Sequence, residues 1–183
     1  MYHSGNQLID PQLLFAKAHL QSGMQVADFG CGRTGHIIFP AAKVLGERSV
    51  IYAIDILKDV LEEICKRAAG SGLLSIHPVW ANVEQVGAIA IPEKSLDVVF
   101  LVNILWHASN SSHILDEARR LLKDKGRLLI VDWRFATLSF GPRSDHLVDR
   151  KTVKEWGQKK GCVVQEEFIA GPYHWGLVLF KQD

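Results

Sequence analysis

The stretch Val26-Ala27-Asp28-Phe29-Gly30-Cys31-Gly32-Arg33-Thr34-Gly35 constrains this chain more than any other. A short apolar run, Met24 to Phe29, predicts a buried strand, and a helix is predicted from about His36. The glycines between them permit a tight turn and a close backbone approach by a ligand. Amides of the turn and of the helix start then form a polar cradle at the carboxyl end of a strand. Roughly twenty residues on, where dinucleotide sites carry their ribose-binding acid, a second apolar run, Val50-Ile51-Tyr52-Ala53-Ile54, ends in Asp55. Its carboxylate is placed to accept both hydroxyls of a ribose. Loop and acid together imply a nucleoside-containing ligand.

The rest of the chain sets the frame around that join. Asp10 caps and Pro11 opens a helix that Gly23 ends. Helices are predicted over Ile37 to Leu45 and Leu57 to Ala69, and a strand over Leu73 to Val79. A short helix over Val83 to Ala90, a strand over Leu96 to Val102 and a helix that Ser111/Ser112 precede and that runs to Leu122 follow. Lys123-Asp124-Lys125-Gly126 reads as a turn into a strand over Arg127 to Asp132. Alternation of this kind implies a parallel sheet covered on both faces, with right-handed crossovers. After a loop from Trp133 to Leu147 and a helix over Arg150 to Lys160, the pattern changes. Cys162 to Ile169 and Trp175 to Lys181 flank Gly171-Pro172 as a hairpin, which makes one strand antiparallel. The N-terminal helical segment, residues 1–23, has two places open to it: over the cleft or on the sheet edge.

Val26 to Ala42 resembles the cofactor loop of the class I S-adenosylmethionine-dependent methyltransferases, and most resembles the branch that includes the ubiquinone/menaquinone biosynthesis methyltransferases. The residues that carry the likeness are Asp28-Phe29-Gly30-Cys31-Gly32, Asp55, Trp80-Ala81-Asn82-Val83 and Leu96-Asp97-Val98-Val99-Phe100-Leu101-Val102-Asn103. It extends from about Asp10 to the last strand. The resemblance implies an α/β, doubly wound, mostly parallel seven-stranded sheet of order 3-2-1-4-5-7-6, with an antiparallel C-terminal strand and helices on both faces. It also implies one domain over residues 1–183, S-adenosylmethionine as cofactor, and methyl transfer to a small-molecule acceptor. The loop departs from the family's Gly-x-Gly-x-Gly: it reads Gly30-x-Gly32-x-x-Gly35, one residue longer, which is also the dinucleotide spelling. Two other readings therefore stay open, an NAD(P)-binding oxidoreductase and a non-catalytic S-adenosylmethionine-binding module. Against the oxidoreductase, 183 residues leave no room for a separate substrate domain, and the chain has no Tyr-x-x-x-Lys pair.

By resemblance, Asp28 fixes the loop and the amino-acid part of the cofactor, and Gly30, Cys31, Gly32, Thr34 and Gly35 form the cradle. Asp55 and Ile56 take the ribose end, although an acid at position 55 also suits a helix cap. Asn82, beside Val83, stands where the family usually carries an acid that reads the adenine amino group; a turn role is also open to it. Asn103 ends the fourth strand, next to the reacting methyl. Trp106, His107, Trp133, Arg134 and His146 fall on loops at strand carboxyl ends, where ligands bind in open α/β sheets, and are expected to face the acceptor. His107 is the candidate proton acceptor, although an activated methyl group makes a strong base optional. Arg33 reads as a solvated charge, and Tyr173, His174 and Trp175 as edge packing.

Composition excludes several classes. With 48% hydrophobic and 22% charged residues the chain is built to bury a core rather than to stay disordered. Lysine and arginine number 21 against 20 acids, which leaves no electrostatic footprint for nucleic acid or an anionic membrane. No apolar run reaches the roughly 18 residues of a spanning helix, and Met1-Tyr2-His3-Ser4-Gly5 does not open a secretory signal. Three scattered cysteines and eight histidines show neither a disulfide framework nor metal-ligand spacing, so no metal is expected and a cytoplasmic setting is. The sequence leaves the oligomeric state open.

Overall fold

A computed structural model of the chain describes residues 8–136 and 141–182. Its seven strands are β1 (Gln25–Phe29), β2 (Val50–Asp55), β3 (Ile76–Trp80), β4 (Leu96–Val102), β5 (Leu122–Trp133), β6 (Cys162–Gly171) and β7 (His174–Lys181). The helices are α1 (Pro11–Lys17), α2 (Ile38–Leu45), α3 (Lys58–Gly70), α4 (Ser111–Leu121) and α5 (Arg150–Lys159). One sheet contains every strand in the order β3-β2-β1-β4-β5-β7-β6, the order that the resemblance implied. β1 to β5 pair in parallel, and β7 lies antiparallel to both of its neighbours.

The central strands carry near-continuous apolar runs because both faces are covered. On one face Val26, Ile51, Phe100, Val131 and Val178 pack against α1, α2 and α3. On the other, Ala27, Phe29, Leu101, Ile130 and Leu177 pack against α4 and α5. Side chains alternate along each strand, so neighbouring residues at the carboxyl edge look to opposite faces.

Four local expectations give way to tertiary contacts. α1 ends at Lys17, six residues before the expected stop at Gly23, because His19 adopts a left-handed conformation (φ 52°). Residues 83–90 form no helix. Asn82 Oδ1 accepts the Glu84 N–H (3.0 Å), and the buried Glu117 accepts those of Gly87 (2.7 Å) and Ile89 (3.2 Å), so these amides are taken out of a helical ladder. β5 starts at Leu122, running through the expected turn with a register shift and a positive φ at Lys125. α4 is capped by Asn110, whose side chain accepts the Ser112 N–H (3.1 Å), and the serines are its first two residues.

Candidate cofactor and acceptor site

The glycine turn leaves β1 at the carboxyl edge of the sheet. Gly30, Gly32 and Gly35 all have positive φ, at 72°, 62° and 56°, a region that residues with a Cβ enter at a cost. Their surroundings differ. A Cβ on Gly30 would lie 2.6 Å from Ile104 Cδ1, and one on Gly35 would lie 2.6 Å from the Phe39 ring. At Gly32 the nearest atom is the Gly30 carbonyl oxygen at 4.0 Å. Gly30 and Gly35 are therefore needed for packing, whereas the space over Gly32 is open for a ligand.

Asp55 ties β2 to this turn. Its Oδ2 accepts the Gly32 N–H (3.1 Å) and its Oδ1 the Leu57 N–H (3.0 Å). The Gly30 and Cys31 N–H groups both donate to the Ile54 carbonyl, at 2.8 and 3.0 Å. The carboxylate thus does the work of a helix cap and a loop brace, and it keeps lone pairs for further donors. It is also buried, at 8% exposure.

Asp28 is buried too, with no hydrogen-bond partner for Oδ1. Burial, and then the charge of Asp55, push its pKa well above the ordinary carboxylate value. A buried acid in this state is poised to receive a cationic group. Cys31 lies beside it, and burial pushes its thiol pKa up, which makes the sulfur unreactive. Thr34 is exposed, and its carbonyl accepts Arg67 Nη1 (2.8 Å). Arg33 forms an exposed ion pair with Asp59.

Beyond β2, Ile56 and Trp80 are apolar yet 55% and 59% exposed, and Trp80 Nε1 donates to the Ile56 carbonyl (2.8 Å). Lys58 Nζ lies 4.4 Å from the centroid of the Trp80 ring. Trp80 is absent from the sequence-derived site, although an aromatic residue at a strand's carboxyl end is a readable signal. Asn82 serves as a turn residue through its bond to Glu84, and Val83 is buried in the core. Asn103 has a positive φ (54°) and its N–H donates to Val131 O (2.9 Å).

Of the residues expected on the acceptor side, four line two cavities and His107 lines neither. Trp106 and His146 line one of about 510 Å³ between α4 and α5. His107 stacks on Trp106 with ring centroids 3.6 Å apart, and desolvation, then the nearby His146, lower its pKa. Trp133 and Arg134 line the other, of about 680 Å³, with Phe135 and Trp175. Leu147, Val148 and Asp149 are common to both.

Two further polar residues stand at this edge. Asp132 is fully buried at the end of β5. Its Oδ1 accepts the Trp133 N–H (2.8 Å), and Oδ2 has no hydrogen-bond partner. Burial raises its pKa to about 7, against the lowering by the amides of Trp133, Trp106 and Leu105. It ends an apolar run just as Asp55 does, so the same pattern in the sequence marks it. His174, the first residue of β7, is fully buried with both ring nitrogens unpartnered. Among the described residues no cluster of three potential metal ligands occurs.

Residues 20–174 match the model of a family described as "Methyltransferase domain". Over 107 residues, 55% of the chain and 47% of the relative, the sequence is 33% identical to an aklanonic acid methyltransferase from a Streptomyces species. It is 28% identical over 123 residues to a ubiquinone/menaquinone biosynthesis C-methyltransferase from Vibrio vulnificus, which is 67% of the chain and 45% of that protein. The chain thus spans about half the length of these relatives. A solved structure of an S-adenosylmethionine-dependent methyltransferase from Aquifex aeolicus shares the fold, with a TM-score of 0.83 at 22% identity over 97% of this chain and 93% of that one.

Proposed function

The chain belongs to the methyltransferase-domain family, whose model covers most of its length, and from that premise we propose that it transfers the methyl group of S-adenosylmethionine to a small organic acceptor. The observation that carries this reading is the open space over Gly32, set between the doubly bonded Asp55 and the buried, unpartnered oxygen of Asp28. A cradle, a ribose acceptor and an uncompensated acid suit the turn, sugar and amino-acid parts of that cofactor. Bound there, S-adenosylmethionine supplies an already activated methyl group. What remains for the protein is to align an acceptor and keep out water, which is catalysis by proximity and orientation.

Each residue has a share in this. Gly30, Cys31, Gly32, Thr34 and Gly35 shape the cradle, while Asp28 holds the amino-acid end. Asp55 keeps the Gly32 amide in place and accepts the ribose hydroxyls. Ile56, Asn82 and Val83 flank the base, and Trp80 joins them. Asn103 marks the passage from cofactor to acceptor. Trp106, His107, Trp133, Arg134 and His146 surround the acceptor, and His107 is one group able to take its proton. The names of the two relatives support a small-molecule acceptor. The near-balance of charge argues against nucleic acid, and the described helices include none long and apolar enough to cross a membrane. We place the protein in the cytoplasm, in keeping with its three unpaired cysteines.

The test is thermal unfolding with ligands. S-adenosylmethionine and S-adenosylhomocysteine should raise the melting temperature, and NAD and NADP should leave it unchanged. Ligand at about 100 times its dissociation constant adds roughly 2.7 kcal/mol. Stabilisation by NAD alone would overturn the proposal, and binding without turnover on any acceptor would favour a non-catalytic module.

A further inference from the structure

The glycine turn carries one residue more than the family's spacing, and α3 holds that extra length. Arg67, in the last turn of α3, donates from Nη1 to the carbonyls of Arg33 (3.1 Å) and Thr34 (2.8 Å). These are the two residues between Gly32 and Gly35. Both are exposed, and each flanking glycine has a positive φ. A short segment hung between two glycines is free to swing unless something fixes it. Arg33 itself forms an exposed ion pair with Asp59 in the first turn of α3, so the helix meets the segment at two places.

The guanidinium is fixed in turn. Its carbon lies 4.2 Å from the centroid of the Phe39 ring in α2, a cation–π contact. The same ring packs so closely on Gly35 that a Cβ there would lie 2.6 Å from it. Arg67, Phe39 and Gly35 thus form one chain of contacts from α3 through α2 to the end of the turn. A peptide unit is planar, so a carbonyl turned to Arg67 sends the N–H of the same unit the other way. In the Thr34–Gly35 unit that N–H donates to the Gly32 carbonyl (3.1 Å) and closes the turn. In the Arg33–Thr34 unit the Thr34 N–H points away from Arg67 and has no partner among the described residues.

A cation in the last turn of a helix also favours the helix dipole, but that role needs no contact with the loop. We propose, resting on the methyltransferase reading above, that Arg67 is a positioning residue for the cofactor: it holds the lengthened turn in its binding form before the ligand arrives. Ordering a mobile loop costs affinity at the moment of binding, and a clamp made in advance removes that cost. Lysine would supply the charge, but neither a flat face for Phe39 nor a rigid fork for two carbonyls.

The probe is S-adenosylhomocysteine, titrated by calorimetry into the parent, Arg67→Ala and Arg67→Lys. Arg67→Ala should bind about tenfold more weakly, equivalent to about 1.4 kcal/mol, and Arg67→Lys should lie between it and the parent. Melting temperatures of the free proteins should agree within about 2 °C, because Arg67 is exposed. Hydrogen exchange followed by mass spectrometry supplies the local readout. In free Arg67→Ala, residues 32–39 should exchange faster than in the parent, and saturation with S-adenosylhomocysteine should remove the difference. Residues 58–66 of α3 should exchange alike in both. The proposal is overturned if Arg67→Ala binds as tightly as the parent, if the turn exchanges equally in the free proteins, or if affinity and melting temperature fall together. Failure of the parent to bind S-adenosylhomocysteine would instead undo the methyltransferase reading, while exchange in the free proteins would still report whether Arg67 holds the turn.

Discussion

The carboxyl edge of the sheet has two halves that satisfy their polar groups in opposite ways. On the β1–β2 side the turn closes upon itself. Gly30 and Cys31 donate to Ile54, and Gly32 and Leu57 donate to Asp55. On the β5–β7 side, Asp132 Oδ2, Trp106 Nε1 and both nitrogens of His174 are buried without partners. Each unmade bond of this kind costs about 1–3 kcal/mol. In the proposed reading, a cofactor that never changes would be met by backbone held in advance, and an acceptor that varies by side chains held ready at a cost in stability. Asp28 belongs to the first half by position and to the second by its unpartnered oxygen.

The largest effect expected is that of Gly35→Ala, which breaks the preformed half directly. The new methyl would meet the Phe39 ring at 2.6 Å from a backbone at φ 56°. Left-handed strain of about 1–2 kcal/mol and overpacking of about 1–3 kcal/mol should together lower stability by about 2–5 kcal/mol in urea unfolding. Gly32→Ala sharpens the contrast. Its methyl has open space, so the fold should lose only the strain, about 1–2 kcal/mol, while S-adenosylmethionine binding is blocked in calorimetry. Equal stability losses in the two variants would mean that the space over Gly32 is not a ligand site.

Asp55→Ala comes next. Bonds to a charged acceptor are worth about 1.5–3 kcal/mol each, and water restores part of that. Cofactor affinity should fall by a net ~1.5–3 kcal/mol, or ~10- to 150-fold. Because the Gly32 and Leu57 amides also lose their acceptor, stability should fall by about 1–3 kcal/mol as well. Asp55→Asn should lose less of both. Undiminished binding by Asp55→Ala would leave this residue as a brace alone.

Asp132→Asn probes the unsatisfied half through pH. The folded pKa of about 7 lies above the ordinary 3.8, so the folded protein holds a proton that the unfolded chain gives up. Stability contributed by this group therefore falls as pH rises from about 4 to about 7. The variant should be more stable than the parent at pH 8, and its advantage should shrink to nothing near pH 4. A parallel pair of melting curves across that range would show Asp132 to be an ordinary exposed acid. The smallest effect is that of His107→Ala, an exposed residue stacked on Trp106. Cofactor affinity should stay within about twofold while acceptor turnover changes, and a large loss of affinity would move His107 to the cofactor half.

Most of the architecture was legible because its signals are local. Apolar runs, the Asp10-Pro11 start and Gly46 punctuate the chain within a few residues of where they act. β4 matches its expected limits, Leu96 to Val102. The glycine turn was equally legible, since its glycines lie within six residues and Asp55, which braces it, follows closely. The reading failed where a distant group decided. No periodicity around residue 87 shows that Glu117, thirty positions on, will take its amide and that of Ile89. Burial would disfavour the Glu117 charge, but Arg120 and these two amides outweigh it and hold its pKa below normal.

The sequence by itself determined the sheet's alternating pattern, the glycine turn and the acid beside it, because each depends on neighbours along one strand, turn or helix. It also carried the likeness from which strand order and cofactor follow. Only the tertiary structure decided what Asp55 braces, which acids lose their water, and that His174 is buried against Trp133, forty-one residues earlier in the chain. The physical reason is that pKa, burial and satisfaction of a polar group depend on every atom packed around it. At the β5–β7 edge those atoms come from loops and strands that meet only when the sheet is assembled.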